Sequence, residues 1–121
     1  MATITLKNGD SFDAKDDKRL VLAIRDHGVD ILHRCGGFAK CTTCRVKFVE
    51  GEPDKMTEAE HTRLTESELM GEIRLSCQIL CDHPMTVEPL MTQTSENRST
   101  PGNRPQDHIT PPPVWRDAVN E

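Results

Sequence analysis

The sequence predicts an α+β domain. Three observations lead there: two short alternating segments meet at an Asn-Gly turn, one stretch of helical period follows, and later strand-like segments are separated by irregular or short helical pieces rather than by regular crossover helices. With 121 residues, 35% of them hydrophobic, and a mean hydropathy of −0.59, the chain can build one domain with a lean core. Something besides apolar burial is therefore expected to hold it together.

In chain order, ATITLK and SFDA flank Asn8-Gly9-Asp10 and read as a hairpin, because Asn and Gly tolerate positive φ. A two-residue loop would set Leu6 opposite Ser11 and Ile4 opposite Asp13. A three-residue loop sets Leu6 opposite Phe12 and Ile4 opposite Ala14, which keeps one face apolar, and this register is predicted. Asp17 is expected to cap a helix over 18–27, with Leu20, Ala23 and Ile24 on its apolar stripe and Gly28 as its left-handed stop.

Residues 33–44 have no period and hold three cysteines and a Gly pair, so they read as a loop feeding a strand at 45–50, where Val46 and Phe48 alternate with polar neighbours. Thr57 and Glu60 match a capping box that starts a short helix through about residue 64, and a second short turn is expected over 65–69. IRLSCQIL carries the next cysteine, and MTVEPL reads as a closing strand ended by Pro89. Five of the eight prolines lie beyond residue 90, with few apolar groups between them. The predicted division is a domain over 1–90 and a Pro-rich extended tail over 91–121, in which Val114 and Trp115 are expected to anchor on the domain or on a partner.

The chemistry lies in the cysteines. Cys35-x5-Cys41-x2-Cys44 is followed after 32 residues by Cys77. Four thiolates are what a [2Fe–2S] cluster requires, two for each tetrahedral iron. Gly36 and Gly37 let the loop wrap closely and aim backbone N–H groups at the sulfurs. Together with Ala39 and Lys40 they are expected to surround the cluster. The competing metal is zinc held by Cys41, Cys44, Cys77 and Cys81, which leaves Cys35 and the Gly pair without a role. Cys81 is instead expected to be a packed thiol. His33, beside the loop, is expected either to bond a sulfur or a backbone group or to face solvent.

CGGFAKCTTC (35–44) and RLSCQ (74–78) resemble the adrenodoxin-like, vertebrate-type branch of the [2Fe–2S] ferredoxins, over about residues 1–90. The resemblance implies a β-grasp mixed sheet with one main helix, one or two short helices and an irregular cluster-binding loop. It also implies that Cys35 and Cys41 hold the outer iron, where the added electron localises, and that Cys44 and Cys77 hold the inner one. The five-residue gap departs from the four-residue gap of plant-type ferredoxins.

The chain carries 15 Lys and Arg against 20 Asp and Glu, a net charge of −5, which disfavours charge-driven nucleic-acid binding and favours a basic protein partner. Over 50–72 there are eight carboxylates against Lys55 and Arg63. Glu58, Glu60, Glu66, Glu68 and Glu72 are the expected partner-binding residues of this face. In the resembled family the equivalent short helix docks basic reductases and monooxygenases, but Thr62, Arg63 and Thr65 interrupt the acidic run here. MATITLKNGD has no apolar run of a secretory signal and no stretch could span a bilayer, so a cytoplasmic location is expected; a monomer is expected as well. The functional expectation is a one-electron carrier between a reductase and a redox acceptor, with one [2Fe–2S] cluster per chain and no catalysis of its own. The alternatives are a zinc-stapled interaction module and a cluster-based redox sensor acting through the tail.

Overall fold

The computed structural model describes residues 1–100, 102 and 104–117. Strands β1 (Ala2–Leu6) and β2 (Ser11–Ala14) form the expected hairpin, but in neither of the two registers that the sequence suggests. Ile4 faces Phe12 and Ala2 faces Ala14. The loop is Lys7-Asn8-Gly9, closed by the Leu6 N–H donating to the Asp10 carbonyl (2.7 Å), with Gly9 at φ +101°. Relative to the predicted pairing the strands are offset by two residues, which preserves the face on which each side chain lies.

Helix α1 (Leu20–Asp26) starts two residues later than expected, and Asp17 does not cap it. Arg19 occupies the N-cap position in an extended conformation and bridges to Leu80. The Leu20 N–H donates to the Ile79 carbonyl (2.8 Å) and the Cys81 N–H to the Lys18 carbonyl (2.9 Å). Residues 18–20 are thus held alongside 79–81, and helical geometry begins only where that pairing ends. Gly28, at φ +107°, stops the helix as predicted.

β3 (Arg45–Glu50) has the predicted bounds. A short strand β4 (Lys55–Thr57), not foreseen, leads into α2 (Glu58–Glu66). Only half of the capping box forms: the Glu60 N–H donates to Thr57 Oγ1 (3.1 Å), while the Glu60 carboxylate turns inward to Arg74. β5 (Arg74–Leu75), a 3-10 turn over Ser76–Gln78, and β6 (Met85–Pro89) complete the domain. The five-stranded sheet has the order β2-β1-β6-β3-β5, with β1 and β6 parallel and the other pairs antiparallel. α1 lays Leu20, Val21, Leu22, Ala23 and Ile24 into one apolar cluster with Ile4, Leu6, Val46, Leu75 and Val87. Each fully buried side chain of this size contributes roughly 1.5–3 kcal/mol.

The segment after residue 90 runs back along the domain. The Leu32 N–H donates to the Met91 carbonyl (3.0 Å), and Asp30 Oδ2 caps the turn at Thr94 (3.0 Å). Ile109 and Thr110 are buried, and β7 (Trp115–Asp117) pairs antiparallel with β4. Val114 and Trp115 remain 62% and 45% exposed, so the hold on the domain comes from Ile109, Thr110 and backbone pairing rather than from those two side chains.

Candidate metal centre

The loop from His33 to Thr43 has a backbone turned inside out. Its conformation needs left-handed residues at Gly36 (φ +73°), Gly37 (+89°), Ala39 (+59°) and Thr42 (+57°). The two non-glycine positions cost about 1 kcal/mol each or more. Arginines hold the outward carbonyls: Arg19 Nη2 donates to Gly37 O (2.6 Å), Arg63 Nε to Ala39 O (3.3 Å) and Arg45 Nε to Thr42 O (3.0 Å). With the carbonyls tied outward, N–H groups are left facing the sulfurs. Lys40 donates to Cys35 Sγ (3.5 Å) and Cys35 to Cys41 Sγ (3.3 Å), while Thr43 Oγ1 lies 2.9 Å from Cys41 Sγ.

The four cysteines of the spacing pattern meet in two pairs. Cys35 hydrogen-bonds Cys41, and Cys44 hydrogen-bonds Cys77. The hydrogen bond from Cys41, helped by the N–H groups of Lys40, Phe38 and Gly37, brings Cys35 down to about 4, and the Cys41 thiol is raised in turn. The contact with Cys77 and complete burial likewise raise Cys44, and Cys77 is lowered. Cys41 also acts on Cys44 and Cys35 on Cys77 through space, so the pairs are neighbours. Among the described residues no three Cys, His, Asp or Glu side chains close on a single ion. Thiols meeting two by two fit the donor set of two irons, and soft sulfur ringed by N–H donors fits an anionic iron–sulfur group.

Cys81 is fully buried in the apolar cluster, where burial pushes its thiol up to about 12. Its surroundings match the packed thiol expected of it. His33 is buried, not solvent-facing, and its carbonyl accepts from the Gly36 N–H (2.8 Å). Three residues of this centre do not stand out in the sequence. Arg19 donates from Nε and Nη2 to the Cys77 carbonyl (2.9 and 2.7 Å). Gln78 Nε2 approaches Cys77 Sγ (3.6 Å), and Thr110 Oγ1 donates to Gly37 O (3.2 Å). The only sequence signal for any of them is that Gln78 directly follows Cys77. Burial lowers the pKa of Arg19, and the electrostatic influence of the Cys77, Cys44 and Cys35 sulfurs opposes that.

Of the acidic residues expected at the partner face, Glu58, Glu66, Glu68 and Glu72 are on the surface. Glu60 is not: it has no exposure and is bonded to Arg74 Nε (2.8 Å), so it offers nothing to a partner. A carboxylate three residues into a helix reads as a cap from sequence alone, and its inward partner lies 14 residues further on.

Residues 4–82 match the family described as 2Fe-2S iron-sulfur cluster binding domain. The chain belongs to that family. Its cofactor is a [2Fe–2S] cluster, held in a ferredoxin-type domain. The chain is 33% identical over 87 residues to a subunit of the Na(+)-translocating NADH-quinone reductase of Chlamydia felis, an alignment covering 70% of this chain and 20% of that relative. The corresponding protein of Shewanella denitrificans is 34% identical over 71 residues, covering 58% and 17%. The chain thus spans about a fifth of the length of these curated relatives. Among solved structures it is similar to a chain of the covalent putidaredoxin reductase–putidaredoxin complex, with 33% identity, a TM-score of 0.57, and 73% of this chain and 97% of that one covered. It is also similar to the ISC-like [2Fe-2S] ferredoxin FdxB from Pseudomonas putida, with 25% identity, a TM-score of 0.58, and coverage of 73% and 91%. These neighbours agree with the mixed sheet and two helices of a β-grasp ferredoxin. Among the described residues no helix is long and apolar enough to cross a membrane.

Proposed function

We propose that Cys35, Cys41, Cys44 and Cys77 are the four cluster ligands, with Cys35 and Cys41 on one iron and Cys44 and Cys77 on the other. The observation that carries this is the two-by-two meeting of the thiols, in the same pairs that the family resemblance implies. When bound, the cluster supplies a site that takes up and releases one electron without breaking a bond. The chain's own residues keep the geometry fixed between the two states. Arg19, Arg45 and Arg63 fix the loop carbonyls, Gly36, Gly37, Ala39 and Lys40 form the surrounding backbone, and Ser76 Oγ ties the Cys44 carbonyl (2.6 Å) beside Cys77.

We read the chain as an electron carrier with no catalysis of its own, in the adrenodoxin-like branch, taking electrons from a reductase and passing them to a redox acceptor. The five-residue gap between Cys35 and Cys41 supports the branch, and the likeness to a chain of a reductase–ferredoxin complex supports the reductase. The partner is expected to present a basic face to Glu58, Glu66, Glu68 and Glu72, with the chain acting as a monomer.

Iron and sulfide analysis with a visible spectrum tests the ligand set. The wild-type protein should be red-brown, hold iron and sulfide in equal amounts and bleach on reduction. Serine at Cys35, Cys41, Cys44 or Cys77 should abolish or alter the spectrum, whereas Cys81→Ser should keep it. A colourless protein loaded with zinc, or loss of colour only when Cys81 is replaced, refutes the assignment.

A further inference from the structure

Arg19 is fully buried, and all five of its N–H groups are used on backbone carbonyls. Nε and Nη2 donate to Cys77 O (2.9 and 2.7 Å), Nη2 also to Gly37 O (2.6 Å), and Nη1 to Gln106 O (2.9 Å) and His108 O (3.1 Å). Carbonyls satisfy hydrogen bonds but neutralise no charge. Among the described residues no carboxylate pairs with this guanidinium, and taking an ion out of water without a counter-charge is strongly unfavourable. The three places it grips are the backbone of one proposed ligand, the loop between two others, and the segment 106–110 beyond the domain.

Resting on the cluster reading above, we propose that Arg19 is a positioning and charge-balancing residue. It is the buried counter-charge of the iron–sulfur cluster, and it clamps the 104–110 segment as a strap over the cluster loop. The thiolate-ligated cluster is a net anion that gains one more negative charge on reduction, so a fixed cation behind Cys77 and Gly37 favours the reduced state. The strap is in close contact with the loop. A Cβ on Gly37 would lie 2.6 Å from Arg19 Nη2 and 2.8 Å from Pro105 Cβ, and one on Gly102 would lie 2.7 Å from the His33 carbonyl. Thr110 and Gln78 close the same node, Thr110 Oγ1 on Gly37 O (3.2 Å) and Gln78 Nε2 on Thr110 O (2.9 Å). The electron enters and leaves the cluster with no bond made or broken. Arg19 remains charged throughout and transfers nothing.

The test is a reductive titration followed in the visible spectrum on the full chain, wild type against Arg19→Gln and Arg19→Lys, with iron and sulfide content measured for each. Arg19→Gln should be at least tenfold harder to reduce, a midpoint lower by about 59 mV for each factor of ten. Arg19→Lys keeps the charge but not the fork, so its reduction constant should stay within about threefold of wild type while amide hydrogen exchange over 104–110 quickens. A fully loaded Arg19→Gln protein with the wild-type midpoint overturns the proposal.

Should Arg19→Gln fail to load, the wild-type chain decides. Exchange over 104–110 should be at least tenfold faster after the cluster is removed, and equal exchange in the two forms overturns the coupling of strap to cluster. A wild-type chain without iron, sulfide or a visible band refutes the cluster reading itself, a result distinct from either of these.

Discussion

Arg74 Nε donates to Glu60 Oε2 across 2.8 Å in an environment sealed from solvent. The pair joins three elements. Glu60 Oε2 also accepts from the Leu75 N–H (2.8 Å), Arg74 Nη1 donates to Pro53 O (2.9 Å) and Nη2 to Lys55 O (2.9 Å). Burial raises the pKa of Glu60 even against Arg74, and it opposes the rise that Glu60 and Glu52 give Arg74. Deleting either side chain leaves the other charge buried.

Glu60→Ala leaves Arg74 buried with only the half-exposed Glu52 carboxylate, 3.3 Å from Nη1, as a counter-charge. The expected cost is about 3–5 kcal/mol, the usual penalty for removing one partner of a buried ion pair. Thermal unfolding of the loaded protein should show the midpoint fall by about 10 °C or more. A midpoint within a degree or two of wild type would mean that the pair is not a structural fixture.

The exposed carboxylates should behave in the opposite way. Replacing Glu66, Glu68 and Glu72 together by Lys should leave thermal stability nearly unchanged and slow association with a basic reductase roughly tenfold at low salt, with the difference shrinking as salt screens the field. Stopped-flow reduction of the cluster at two ionic strengths measures this. Equal rates for both proteins at low salt would remove the acidic face from the docking account.

The contrast between Glu60 and its neighbours shows where sequence reading runs out. The Cys35-x5-Cys41-x2-Cys44 run, the strand 45–50 and the Gly28 stop were legible because each depends on residues within a few positions of one another. Glu60 and Arg19 were not, because a charged side chain in an amphipathic segment reads as surface unless its buried partners are known. Those partners lie at Arg74 for one, and at Cys77, Gln106 and His108 for the other. The hairpin register failed for a smaller reason: the turn uses Lys7-Asn8-Gly9 rather than Asn8-Gly9-Asp10, and one position of turn placement moves the pairing by two.

His83 links two loops, with Nε2 2.7 Å from the Gly51 carbonyl and Nδ1 2.7 Å from Asp82 Oδ1. Burial disfavours the imidazolium, but the Gly51 carbonyl and the Asp82 and Asp54 carboxylates outweigh it, so its pKa lies above the ordinary 6.5. The folded chain thus binds this proton more tightly than the unfolded chain does. The stabilisation is fully present below about pH 6.5 and is lost as pH rises through the folded-state value. With the side chain about one-third exposed, its size is limited to about 0.5 kcal/mol. Denaturation midpoints at about pH 6 and pH 8.5 should differ in this direction for wild type, and His83→Gln should remove that part of the difference.

Ile109 and Trp115 lie six residues apart in the segment after the domain, but they hold it to different degrees. Ile109 is 3% exposed, next to Thr110 in the polar node at Gly37, whereas Trp115 is 45% exposed on the short β4–β7 pairing. Truncating a buried isoleucine removes its transfer energy and leaves a cavity, so Ile109→Ala should cost about 2–4 kcal/mol. Trp115→Ala removes a side chain already half in water and should cost under about 1 kcal/mol. Chemical denaturation of the two loaded variants separates them. If Trp115→Ala is the more damaging, the exposed aromatic anchors the segment and the buried 109–110 contact is secondary.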